Sequence, residues 1–215
     1  MILHVEGHER DAYSQQVDQY LRLRKRVFHD MLGWEVPVHG DMEYDELDDA
    51  PCTYTLFTDA DGIVRGGARL IPTTQPTLLS SYFGELMPDE INFIAPDIWE
   101  SSRYCVDHDV AQARMNSGSK KATLGVSLGN YDYAIKNGIS AYLAVVDARM
   151  YMLSQKYSIG VEELTRTTIS GSDVVCAFYP INEESGSVAE KLRPIITAAE
   201  PTPKAERAPP EVHCA

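Results

Sequence analysis

"CTYTLFTDADGIVRGGARLIP", residues 52–72, decides more about the fold than any other stretch. Two runs rich in Thr, Tyr, Leu, Val and Ile flank Asp61-Gly62, a dipeptide suited to a tight turn, so the spacing predicts an antiparallel hairpin. Pro72 ends its second strand, because proline has no N–H for the ladder. Outward from the hairpin, "ILHVE" (2–6) reads as a short first strand. Residues 11–32 carry helical periodicity, with Val17, Tyr20, Leu21, Val27, Phe28, Met31 and Leu32 on one face and Gly33 placed to stop the helix. Downstream, "LLSSYFGEL" (78–86) suggests a short helix and "DIWESSRYCV" (97–106) a strand. A helix over 119–138 closes at Gly138; "SAYLAVV" (140–146) is a buried strand, and Asp147 opens a helix through 157. A strand over 173–181 and a helix over 183–197 complete the order. A hairpin followed by alternating helix and strand implies an α/β (α+β) sandwich with a mixed, largely antiparallel sheet, not a doubly wound parallel one. Residues 1–198 are expected to form one domain. Residues 199–215 contain four prolines and few large apolar groups, and are expected to be a disordered tail.

The bulk composition narrows the function. Net charge is −13, which disfavours nucleic acid, because phosphate neutralisation needs clustered Lys and Arg. No apolar run is long enough for a membrane span and no secretory leader is visible. Cys52, Cys105, Cys176 and Cys214 are scattered without a C-x-x-C, which fits a reducing cytoplasm and argues against a zinc site. The histidines sit singly, so no metal is expected, and no P-loop, Rossmann or G-x-S-x-G motif appears.

Three oddities remain. Arg24 falls on the apolar stripe of the first helix, where it either snorkels or needs a carboxylate partner. "GDMEYDELDD" (40–49) holds six carboxylates, but lacks the glycine and the twelfth-position glutamate of a calcium loop. Met42, Tyr44 and Leu47 interleave with the charges, so Glu43, Asp45 and Asp48 are expected to face inward and Asp41, Glu46 and Asp49 solvent. In "WESSRYCV", strict alternation would put Glu100 and Arg103 on opposite faces. A β-bulge would bring both to one side and free a backbone N–H, whereas an edge strand would simply leave both solvated.

Together these stretches resemble the acyl-homoserine-lactone synthases, the LuxI-type autoinducer synthases. The carriers are "LRLRKRVFHDMLGW" with Arg24, Phe28 and Trp34; "GDMEYDELD" with Glu43, Asp45 and Asp48; "GGARLIPT" with Arg69; and "WESSRYCV" with Glu100 and Arg103. Leu47, Gln75 and Tyr104 depart from the usual pattern. The resemblance implies an N-acetyltransferase-like twisted sheet with a cleft, and synthesis of an N-acyl-homoserine lactone from S-adenosylmethionine (SAM) and an acyl thioester. SAM is then a substrate, not a cofactor, and 5′-methylthioadenosine leaves. It implies SAM contacts from Arg24, Phe28, Trp34, Asp45, Asp48, Arg69 and Arg103, with Glu100 first and Glu43 second as general base. Tyr104, Ala144, Val146 and Met150 would line the acyl pocket, or equally are core. The donor is acyl-carrier protein or acyl-CoA; Lys120, Lys121, Arg149 and Lys156 are the candidate carrier dock. The lack of Thr or Ser at Ala144 favours an unsubstituted or 3-hydroxy chain over a 3-oxo one. The competing readings are an ordinary N-acetyltransferase acting on a small amine and a non-catalytic SAM-binding regulator.

Overall fold

The computed structural model describes residues 1–49, 51–87, 92–108, 117–157, 160–169 and 171–198. The expected tail lies outside them. Among the described residues a seven-stranded sheet runs β1-β4-β5-β6-β7-β9-β8. Its strands are β1 (Ile2–Glu6), β4 (Thr53–Thr58), β5 (Val64–Pro72), β6 (Ile98–Val106), β7 (Ala141–Asp147), β8 (Glu162–Ile169) and β9 (Ser172–Pro180). Neighbours pair antiparallel except β6 and β7, which are parallel. The expected hairpin is β4–β5, with Gly62 at φ 78° in its turn. A two-stranded ribbon, β2 (Val38–His39) with β3 (Met42–Glu43), and a 3-10 turn at Glu46–Asp48 give the acidic stretch more order than the expected loop.

One face of the sheet carries α1 (Ser14–Arg24) and α2 (Leu78–Tyr82), and the other carries α3 (Ser117–Asn137), α4 (Ala148–Tyr157) and α5 (Glu183–Thr197). Val17, Tyr20, Leu21 and Leu23 of α1 pack on Val5, Tyr54 and Leu56. On the far side, Ala122 and Val126 of α3 pack on Phe57, Ala68 and Val106. The approach of α3 is close because of two glycines. A Cβ at Gly125 would stand 2.2 Å from the Phe57 ring, and one at Gly129 would stand 2.5 Å from Thr55 Cγ2.

The sequence reading needs correction at two places. The first helix is α-helical only to Arg24, then widens to a π-helix over Lys25–Met31, where the Leu32 N–H reaches the Val27 carbonyl at 3.0 Å. The wider turn shifts the phase of the apolar stripe. Val27 and Phe28 stay buried, but Met31 and Leu32 are exposed. Strand β8 has no counterpart in the sequence reading. It is an edge strand of Glu, Thr and Arg with no continuous apolar face, so the usual periodicity signal is missing. Its β-branched threonines were the available cue.

The pairing of β6 with β7 is short, joining Ile98–Glu100 to Ala141–Leu143 only. Beyond that point β7 continues along β9 while β6 continues along β5, so the sheet splits. The split positions the site.

Candidate functional site

Beside the split, β6 carries an irregularity that answers the question posed by Glu100 and Arg103. Gly67 of β5 pairs with Cys105, yet Arg69 pairs with Ser102, so residues 103 and 104 together oppose Ala68. Arg103 has φ 53°, a left-handed conformation that non-glycine side chains rarely adopt. This is a bulge, and it puts Glu100, Ser102 and Arg103 on the α1–α2 face while Tyr104 turns to α3. Tyr20 Oη donates to the Arg103 carbonyl at 2.8 Å and holds the bulge from α1.

On that face the three inward carboxylates meet three arginines. Arg24 Nε donates to Glu43 at 2.5 Å, and its two terminal nitrogens reach Asp48 at 2.7 and 2.9 Å. Arg69 donates to both oxygens of Asp45, stands 3.1 Å from Asp48, and reaches Ser102 Oγ at 3.3 Å. Arg103 closes the circuit, Nε to Glu43 at 3.0 Å and Nη2 to Asp45 at 2.8 Å. Arg24, Arg69, Glu43 and Asp48 are completely buried, whereas the Arg103 side chain is 11% exposed. Burial alone would push the Asp48 carboxyl up, but Arg24, Arg69 and the Asp45 N–H outweigh it and hold it far below the usual range. Burial likewise opposes the charge on Arg69, and Asp48 and Asp45 overcome it, so its pKa is raised. Arg24 is therefore not snorkelling. It is the buried centre of a network whose three positive and three negative charges cancel.

The outward half of the acidic stretch is equally plain. Asp41, Glu46 and Asp49 are exposed, and bond to Arg22, Tyr82 Oη and Tyr44 Oη respectively. Phe28 and Trp34 stack with ring centres 5.4 Å apart and planes 12° apart, and the Arg103 guanidinium lies 5.8 Å over the Phe28 ring. Phe28 is buried and Trp34 is 44% exposed, so the stack runs from the cluster out to solvent.

Glu100 is buried a short way along β6 and makes no ion pair among the described residues. Its oxygens accept from the Leu78 and Leu79 N–H groups at 3.0 and 2.7 Å, capping α2. Burial raises its pKa, and those N–H bonds only partly offset the effect.

Through the split, on the α3–α4–α5 face, lies a cavity of about 190 Å³. Tyr104, Ala144, Val146 and Met150, the four expected acyl-pocket residues, all line it. Of the expected carrier dock, three members are described. Lys121 Nζ donates to the Ala198 carbonyl at 2.6 Å, at the end of α5, while Lys120 and Arg149 are exposed. The Lys156 side chain lies outside the described residues.

The sequence reading missed Tyr20, Tyr54 and Ser102. Tyr54 Oη donates to Asp48 at 2.8 Å. Both tyrosines sit where any aromatic would satisfy the core pattern, so only their hydroxyls distinguish them.

Against this geometry the chain can be placed among known proteins. Residues 8–188 match the family model described as autoinducer synthase. The chain belongs to that family. It is 31% identical over 164 residues to a probable acyl-homoserine-lactone synthase of Sinorhizobium fredii, covering 76% of this chain and 79% of that one. It is 31% identical over 166 residues to an acyl-homoserine-lactone synthase of Vibrio anguillarum, covering 76% and 85%. Among solved structures, BjaI, a CoA-dependent acyl-homoserine lactone synthase determined with SAM and isopentyl-CoA, superposes with TM-score 0.78 at 25% identity, over 91% of this chain and 89% of that one. A putative N-acetyltransferase from Lactobacillus plantarum shares the fold at TM-score 0.51 and 15% identity, over 85% of this chain and 98% of that one. The mixed sheet flanked by helices is thus the N-acetyltransferase-like fold that the resemblance implied. No helix among the described residues is long and apolar enough to cross a membrane.

Proposed function

We propose that this autoinducer synthase makes an N-acyl-L-homoserine lactone from SAM and an acyl thioester, releasing 5′-methylthioadenosine. The observation that carries the reading is the bulge at Arg103. It stands between the charged cluster with its Phe28–Trp34 stack on one face of the sheet and, on the other, the largely apolar cavity, whose lining includes Ser102, Arg103 and Tyr104. SAM occupies the first and the acyl chain the second.

Phe28 and Trp34 hold the adenosine and sulfonium end, where cation–π attraction contributes about 0.5–2 kcal/mol. Asp45 and Glu43 face the ammonium, and Arg103 takes the SAM carboxylate. Arg24, Arg69 and Asp48 fix those carboxylates in place. The amine then attacks the thioester carbonyl, and the N–C bond forms as the thiol leaves. The peptide of the bulge, outside the β5–β6 pairing, offers its N–H to the oxyanion. An α-amine titrates near pH 7.7–8.0, so roughly a tenth is already neutral at pH 7, and proton removal needs only a modest base. Glu100 makes no ion pair among the described residues, and burial raises its affinity for a proton; it receives the amine proton through water. In the second step the SAM carboxylate attacks its own γ-carbon, the C–S bond breaks, and methylthioadenosine departs. That step depends on positioning, and the fixed cluster supplies it.

The donor is an acyl-carrier protein or acyl-CoA. Lys121 is engaged elsewhere and the chain is acidic overall, which favours the CoA form over an acidic carrier protein. Cys52, Cys105 and Cys176 are free thiols, consistent with a cytoplasmic location. The test is incubation of purified chain with SAM and a panel of short, long and aryl thioesters, with mass spectrometry for both products. Lactone and methylthioadenosine in equal amounts are expected. Neither product from any donor would overturn the reading.

A further inference from the structure

Tyr20 of α1 is fully buried beside the charged cluster, yet its hydroxyl is spent on backbone: Oη donates to the Arg103 carbonyl at 2.8 Å. The ring is held from several sides. The Arg24 guanidinium lies 5.5 Å over it, and Tyr54 meets it edge-on with ring centres 5.3 Å apart. Strand β5 passes so closely that a Cβ at Gly67 would stand 2.7 and 2.8 Å from the ring carbons Cε2 and Cδ2. Gly67 is not among the positive-φ glycines, so the position needs glycine for space. It pairs with Cys105, the residue just after the bulge. A phenylalanine at position 20 would fill the same core without burying a hydroxyl. Burial pushes the Tyr20 hydroxyl well above the ordinary tyrosine range, so it stays protonated and able to donate.

We propose that Tyr20 is a positioning residue for acyl transfer, its hydroxyl fixing the direction of the Arg103–Tyr104 peptide. The proposal rests on the synthase reading above and names the peptide that serves the oxyanion. In a trans peptide the C=O and N–H point in opposite directions within one plane. Tyr20 holds the carbonyl toward α1, so the Tyr104 N–H is turned away from α1, and Tyr104 lines the cavity on the opposite face. Arg103 at φ 53° does not keep this orientation by its own preference, so the peptide needs an outside anchor. The two outputs of the bulge differ in tolerance. The Arg103 guanidinium ends a long side chain with several rotatable bonds and can reach its partners from a slightly shifted backbone. A peptide N–H has no such reach, and an oxyanion donor acts only when aimed where charge develops. Loss of the Tyr20 hydroxyl therefore strikes kcat and spares SAM affinity.

The test compares Tyr20→Phe with the parent in the purified full chain. It reads kcat from thiol release at saturating SAM and thioester, SAM affinity from calorimetry, and stability from urea unfolding. Tyr133→Phe is the control, because it too removes a buried tyrosine hydroxyl, one that pairs with Thr53 Oγ1 at 2.9 Å and does not line the cavity. Both variants should lose stability. In Tyr20→Phe kcat is expected to fall by about ten- to a hundredfold while SAM affinity stays within about twofold, and Tyr133→Phe should keep the parent kcat. Gly67→Ala crowds the Tyr20 ring from β5 and should lower kcat in the same way. Adding it to Tyr20→Phe should lower kcat little further, since both changes break one bond. If Tyr20→Phe fails to fold, Gly67→Ala is read by the same measures and decides. A parent-like kcat in folded Tyr20→Phe, an equal kcat loss in Tyr133→Phe, or a loss confined to SAM affinity would overturn the assignment while the synthase reading stands. Absence of product from the parent with every donor would instead remove the synthase reading, and this proposal with it.

Discussion

Replacing Asp48 with Asn removes one charge from a cluster in which three guanidinium groups face three carboxylates. Asp48 accepts from Arg24 at 2.7 and 2.9 Å, from Tyr54 at 2.8 Å and from the Asp45 N–H at 2.9 Å, and stands 3.1 Å from Arg69. The amide keeps the shape but turns one end into a donor facing donors, and leaves a buried positive charge without its counterion. Removing one partner of such a pair costs about 3–5 kcal/mol, a large share of a total stability of about 5–15 kcal/mol. At about 2–4 °C per kcal/mol for a chain this long, Tm should fall by roughly 6–20 °C. The pH dependence has a definite sign. The Asp48 pKa is depressed below the ordinary aspartate value of about 3.9 in the folded state, so its contribution is complete above that value and is lost as the pH falls further. Urea unfolding at about pH 7 and about pH 3 should therefore show a gap between parent and variant that narrows in acid. Adding Arg24→Met to Asp48→Asn removes the pair as a unit and should recover part of the loss. A single variant within about 1 kcal/mol of the parent at neutral pH would refute the claim that these charges depend on one another.

Glu100→Gln should lower kcat by about 10²-fold or more while SAM affinity, measured by calorimetry, changes only a few-fold. Because burial raises the Glu100 pKa, parent activity should fall as pH drops through that value, and the variant should lack this acidic limb. Loss of SAM binding instead would reduce Glu100 to the cap of α2. Gly125→Ala should cost about 1–3 kcal/mol in urea unfolding, since the new methyl meets the Phe57 ring. A neutral result would mean α3 can slide outward freely.

The hairpin, the helix–strand alternation and the inward–outward split of the acidic stretch were legible because each depends on local pattern. Glu43, Asp45 and Asp48 announced themselves through the apolar residues between them. The π-helix was not legible: its effect is a phase shift that leaves composition untouched, so Met31 and Leu32 looked like core and are not. The pair Glu100 and Arg103 raised the right question, but the bulge depends on how β5 and β6 meet across 33 residues of sequence. The neutrality of the cluster was hidden for the same reason. Arg24, Arg69 and Arg103 come from three elements, and only the packed sheet shows that they count against the same three carboxylates.

A neutral cluster changes what a cationic substrate must do on entry. SAM brings a sulfonium, an ammonium and a carboxylate, a net positive charge. Carboxylates that were simply waiting for it would be a repelling, unpaired group of buried anions, which a fold does not sustain. Here the arginines pair with the acids and order them beforehand, and one of them must yield. The six side chains do not share that freedom equally. Arg24 and Arg69 are sealed in, each fixed by two carboxylates. Arg103 is the partly exposed member, lies over Phe28, and stands on a backbone conformation that costs of order 1–3 kcal/mol. On the function proposed above, a move of Arg103 from Glu43 and Asp45 to the SAM carboxylate would exchange one set of charge-assisted bonds for another and leave two acids for the ammonium. The count of paired charges is preserved, so binding need not meet the full desolvation cost of a buried ion. The strained residue also lines the cavity on the far face, so in the proposed reaction SAM occupancy would be coupled to the geometry of the bulge.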